Sequence, residues 1–75
     1  MSEQRQTTKM TVTGMTCDHC VASVTEELDN VQGVREVRVE LNAGGDSPVF
    51  VDSDGPLDIE AARAAVVEAG YTATF

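Results

Sequence analysis

The same apolar stripe occurs twice in this chain, each time after a short alternating run. Val21, Val24, Leu28 and Val31 fall at i, i+3, i+7 and i+10, and Ile59, Ala62, Val66 and Ala69 repeat the spacing. Side chains so spaced line one side of an amphipathic α-helix. The first stripe predicts a helix from about Asp18 to Asn30, with Ser23, Glu26, Glu27 and Asn30 in water. Thr16 or Asp18 is placed to cap its start, and Gly33 follows just past its end. The second helix begins after Asp58, a good N-cap residue, and ends at Gly70. Glu60 lies in its first turn, where negative charge suits the helix dipole.

Outside the helices the period falls to two. From Thr7 to Thr13, apolar Met10 and Val12 alternate with Lys9, Thr11 and Thr13, the pattern of a half-buried strand. Gly14 breaks it. Val34 to Leu41 alternates again, with Val37, Val39 and Leu41 on one face and Glu36, Arg38 and Glu40 on the other. Asn42 to Pro48 reads as a polar turn containing Gly44 and Gly45. The strand then resumes at Val49 to Val51, which places Phe50 on the face opposite the two valines. Two strands joined by such a turn form a hairpin. Ser53 to Leu57 is another break, and Tyr71 to Phe75 a last short strand with Ala73 and Phe75 on one face.

The order is βαββαβ. Two βαβ halves with matching helical stripes imply a four-stranded antiparallel sheet with both helices on one face, the ferredoxin-like α+β sandwich. Residues 1–6 read as a flexible N-terminal tail and 7–75 as a single domain. A domain of 75 residues has a thin core, since chains near this size bury only about 60% of their unfolded surface.

A net charge of -8 sets the classes of partner. Phosphate backbones need a basic stripe, and RNA-binding sheets need stacking aromatics; this chain supplies neither. Anionic membrane surfaces are disfavoured on the same ground. The charge suits a partner with basic patches, or serves solubility alone. No apolar run is long enough to span a bilayer. Met1 to Lys9 is polar and lacks the apolar stretch of a signal peptide, so the expected location is the cytoplasm. There thiols stay reduced, and two cysteines three residues apart point to metal or redox chemistry rather than a structural bridge.

Those cysteines lie in Gly14-Met15-Thr16-Cys17-Asp18-His19-Cys20, between the first strand and the first helix. An i, i+3 spacing across a loop and a helix start brings two side chains to one side. The helix N-terminus favours negative charge and lowers a cysteine pKa, so thiolates are expected there. Closed structural zinc needs four ligands, and Cys17, Cys20 and His19 are the only strong candidates besides carboxylates. Two thiolates suit a soft ion that accepts low coordination, above all Cu(I).

Gly-Met-Thr-Cys-x-x-Cys in this context resembles the heavy-metal-associated domain family. The similarity runs from about Thr8 to Phe75 and includes Gly33-Val34 and Glu68-Ala69-Gly70-Tyr71. That family comprises small copper chaperones and the N-terminal metal-binding domains of heavy-metal-pumping P-type ATPases. The resemblance implies a ferredoxin-like fold, Cys17 and Cys20 as ligands, and Met15 packed beneath the loop. Thr16 matches the copper-type pattern, where zinc-transporting relatives often carry an acid. His19 and Tyr71 resemble bacterial copper chaperones, with Tyr71 near the metal loop. The turn Asn42 to Pro48 is longer than is common in the family.

Plainer readings compete for several of these residues. Met15 suits core packing better than thioether ligation. Adjacent residues do not share a helix face, so His19 is expected to point away from the metal, with an auxiliary role left open. Tyr71 is equally a strand-start aromatic and a support for the metal loop. Phe50, singly exposed, receives no role.

The leading expectation is one Cu(I) per chain, carried by a cytoplasmic chaperone to a copper-transporting P-type ATPase or another acceptor Cys pair. Ligand exchange of this kind transforms no substrate bond, so the expectation is not an enzyme. The alternatives are the metal-binding domain of such an ATPase, a Hg(II) or Zn(II) relative, and a metal-bridged homodimer through facing Cys pairs. A thiol-disulfide oxidoreductase needs more chain and a different strand order.

Overall fold

The computed structural model describes residues 5–75. The elements are β1 (Arg5–Thr13), α1 (Asp18–Asp29), β2 (Val34–Val39), β3 (Asp46–Asp54), α2 (Ile59–Glu68) and β4 (Thr72–Thr74). They form one antiparallel sheet in the order β2-β3-β1-β4. Each helix therefore crosses over a central strand, α1 from β1 to β2 and α2 from β3 to β4. The ferredoxin-like arrangement expected from the two stripes is the one the chain adopts.

Register and burial agree strand by strand. Met10 pairs with Val49 and Val12 with Ser47 at the sheet centre, and all four are buried. A shift of one residue would turn this set to the open side, so the apolar alternation fixes the pairing. Over it lie Val24 and Leu28 of α1 and Ala62, Ala65 and Val66 of α2, in one cluster with Met15, Leu57 and Ala73. Val21, Val31, Ile59 and Ala69, at the stripe ends, are half-buried against it.

Several boundaries differ from expectation. β1 begins at Arg5, so Arg5 and Gln6, expected in the tail, pair with Asp54 and Ser53. The rest of that tail, residues 1–4, lies outside the described residues. β2 stops at Val39, and Leu41, expected inward, is exposed. β3 starts at Asp46, so the polar turn is shorter than expected. It also runs on to Asp54, because buried Ser53 finds the Gly55 carbonyl for its hydroxyl at 2.9 Å and needs no water.

Neither Thr16 nor Asp18 caps α1. Cys17 is the N-cap residue and makes no side-chain capping bond. Asp58 does cap α2, accepting from the Ala61 N–H at 3.1 Å. Phe50 lies on the open face, half-buried beneath Arg38, whose guanidinium is 5.3 Å from the ring centroid. Phe75 falls just past β4 and is exposed, with Arg63 of α2 over its ring at 5.4 Å. The aromatic expected inside with Ala73 is therefore at the rim of the helix-covered face.

Candidate metal centre

Gly14 to Cys20 leaves the end of a central strand and enters α1. Gly14 turns the chain with φ +99°, a conformation that L side chains rarely adopt. Met15 then drops into the core, with no exposure to solvent. That burial ties the loop to the sandwich from below, and Thr16, Cys17, Asp18 and His19 stay exposed above it.

Cys17 is extended, with φ -157° and ψ 175°, and its carbonyl begins the helix. That carbonyl accepts from the Cys20 N–H at 3.1 Å and the Val21 N–H at 3.3 Å. The tight first turn brings the two sulfurs to 3.4 Å, with Cys17 exposed and Cys20 half-buried. Both cysteines are free thiols.

The Cys20 sulfur sits among donors. The Thr16 backbone N–H is the largest influence that lowers its pKa, followed by the Tyr71 hydroxyl and the Cys17 side chain. Burial opposes them, but the balance takes the thiol from 9.0 to about 6. Cys20 is then a thiolate at neutral pH, the form that binds metal. The Thr16 hydroxyl stands 3.8 Å from the same sulfur. Tyr71 shows the reciprocal effect. Its pKa is raised, first because its hydroxyl donates to Cys20, then by burial and by the charge of the two cysteines. It therefore keeps its proton and remains a donor.

Of the residues singled out in the sequence, Cys17, Cys20, Thr16 and Tyr71 come together at one point. Met15 is below them, and exposed His19 takes no part in the contacts around the sulfurs. Among the described residues, no three His, Cys, Asp or Glu side chains converge. The donor set is thus two sulfurs at the surface, which suits a soft ion of low coordination and falls short of a closed tetrahedral zinc site.

One neighbour of the site left no signal in the sequence. The turn between β2 and β3 reaches the loop that carries the cysteines, where the Gly44 N–H donates to the Met15 carbonyl at 3.1 Å. Gly44 and Gly45 marked a turn, but nothing in local composition says what a turn will touch.

Comparison with known proteins agrees with this geometry. The family model of the heavy-metal-associated domain matches residues 9–72, and the chain belongs to that family. A COP-associated protein of Helicobacter felis is 35% identical over 60 residues, which cover 80% of this chain and 86% of that protein. A mercuric reductase of Acidithiobacillus ferrooxidans is 39% identical over 64 residues, 85% of this chain. The chain spans only 11% of that reductase. The solved structure of a CopZ metallochaperone aligns with a TM-score of 0.79 at 28% identity, covering 92% of this chain and 100% of that one.

Proposed function

We propose that this chain is a cytoplasmic Cu(I) carrier. It holds one ion between Cys17 and Cys20 and passes it to a second Cys pair, such as that of a copper-transporting P-type ATPase. The observation that carries this reading is the pair of sulfurs at the surface 3.4 Å apart, one of them ionised at neutral pH and with no third ligand beside them among the described residues. Two metal–sulfur bonds of about 2.3 Å each span about 4.6 Å when in line. The pair must therefore open by rotation of its side chains, and the exposed Cys17 is free to do so. An incoming thiolate adds to the ion as a third sulfur ligand. One original sulfur then leaves, and copper changes hands without being released to water. The ion keeps its charge, and no substrate bond is made or cut, so the process is not enzymatic. The names of the COP-associated and CopZ relatives support copper as the cargo.

The test is anaerobic titration with Cu(I) against a competing chelator. Saturation near one equivalent per chain is expected, with loss of competition in the Cys17→Ser plus Cys20→Ser protein. Equal competition by that double variant would overturn the site. Ready displacement of Cu(I) by Zn(II) would overturn the metal preference.

The mercuric reductase relative favours a second reading, with Hg(II) as the cargo. Protein recovered from copper-loaded cells is expected to carry copper. Recovery with mercury alone, from cells given both metals, would favour the second reading.

A further inference from the structure

β1 is nine residues long and β4 only three. β3 pairs with β1 along its whole length, from Arg5 opposite Asp54 to Thr13 opposite Asp46. On the other side of β1, β4 pairs only with Thr11, Val12 and Thr13. Arg5 to Met10 therefore present a strand edge with no neighbour among the described residues. Such an edge carries backbone donors and acceptors spaced for another strand. The segment is open on its faces as well. Arg5, Gln6, Thr7 and Lys9 are exposed, and burial on the helix side is complete only at Met10. β1 runs toward Gly14, so a rise of about 3.4 Å per residue puts Arg5 about 30 Å from the loop that carries the cysteines.

Charge selects the occupant of this edge. The chain carries -8 overall and has five basic residues. Arg35 is paired with Asp54 at 3.2 Å, Arg38 with Asp52 at 3.9 Å and Arg63 with Glu60 at 3.1 Å. The other two, Arg5 and Lys9, both lie on the open segment and make no ion pair among the described residues. Strand alternation puts them on one face with Thr7 between them. The carboxylates beside them are engaged, Asp54 by Arg35, and Asp52 by Arg38 and by the Thr7 hydroxyl, which donates at 2.6 Å. Lys9 pairs with Phe50, whose ring already lies under Arg38. A second copy of the chain fits poorly here. Antiparallel pairing of two such edges about Thr7 would set Arg5 of each copy opposite Lys9 of the other, and like charges directly opposite destabilise a sheet.

We propose that the Arg5–Met10 edge of β1 is a docking site for an extended acidic peptide segment of another protein, which adds to the four-stranded sheet as a further strand in line with β4. Backbone pairing supplies the affinity, and alternate side chains supply the selectivity. Acidic side chains on the open face meet Arg5 and Lys9. The side chains between them face the helix side, where Phe75, exposed just past β4, offers an apolar contact.

The inference is independent of the copper reading, and its test uses the reduced, metal-free chain. The probe is a blocked six-residue peptide alternating Glu and Val, titrated at low salt and followed by amide NMR. Shifts should change in Arg5 to Met10 and not in Cys17 to Cys20, and alternate amides of the segment should gain protection from hydrogen exchange. A peptide alternating Lys and Val should bind at least about tenfold more weakly. Arg5→Glu plus Lys9→Glu, both at exposed positions, should reverse that preference. N-methylation of the three Glu amides in one peptide, and of the three Val amides in another, separates strand pairing from charge attraction. One of the two should lose binding, since only alternate amides face the edge. Shifts centred elsewhere, equal binding of the Glu and Lys peptides, or binding that survives both methylations would each overturn the proposal. Protection that appears without peptide and grows with protein concentration would assign the edge to a second copy and overturn it too.

Discussion

The ring of Tyr71 lies across Gly14 so closely that a Cβ placed there would meet Tyr71 Cδ1 at 3.3 Å. Glycine is therefore needed twice at this point, for the turn at φ +99° and for the approach of the ring whose hydroxyl reaches Cys20. Gly14→Ala should lower stability by about 1–2 kcal/mol from backbone strain alone. It should also push Tyr71 off the sulfur, so that Cys20 alkylation slows together with the loss of stability. Urea denaturation and alkylation kinetics measure the two effects. An unchanged urea midpoint would mean that the loop turns without help from glycine.

Stability should depend on pH through Cys20. Its folded pKa is lowered from 9.0 to about 6, so the folded state holds its thiolate at pH values where the unfolded chain binds a proton. The contribution is complete above the unfolded value, 9.0, and is lost as pH falls through about 6. Reduced wild-type protein should thus gain stability across this window relative to Cys20→Ser. Tyr71→Phe removes one of the donors and should move the alkylation profile of Cys20 toward the ordinary thiol value. A Cys20 profile with its inflection near 9.0 in the wild type would contradict this.

What the sequence disclosed followed from periodicity. Val24, Leu28, Ala62 and Val66 are buried where their spacing placed them, because a helix on a single core must repeat its apolar contacts every turn. The Cys spacing likewise foretold a close pair of sulfurs, since one helical turn sets that distance. Element ends were less legible. Asp46 and Pro48 look like turn residues, yet they extend β3, because Asp46 pairs with Thr13 and Pro48 with Thr11 across the sheet. The Gly44–Met15 and Tyr71–Cys20 contacts were legible only in part or not at all. Each joins segments distant in the chain, and the geometry that brings them together belongs to the assembled sandwich.

His19 separates two accounts of the site. It sits in the first turn of α1 between the cysteines but is exposed and outside the cluster around Cys20. His19→Ala should leave Cu(I) affinity within about threefold of wild type, since substitution of an exposed side chain outside the cluster around the sulfurs changes little. A loss of two orders of magnitude in chelator competition would make it a ligand.

Met15 sets packing against ligation. Its thioether lies two residues before Cys17, yet the side chain is fully buried in the core cluster with Met10, Val12 and Val24. A core role requires volume, whereas ligation requires sulfur. Met15→Leu keeps the volume and should cost less than about 1.5 kcal/mol. It should leave Cu(I) affinity unchanged. Met15→Ala leaves a cavity beneath the loop and should cost about 2–5 kcal/mol. It should also slow Cys20 alkylation, because the peptide carrying the Thr16 donor loses its anchor. Chemical denaturation and chelator competition on the two variants decide between the roles. Weak copper binding by the leucine variant at near-native stability would assign the sulfur a place at the metal.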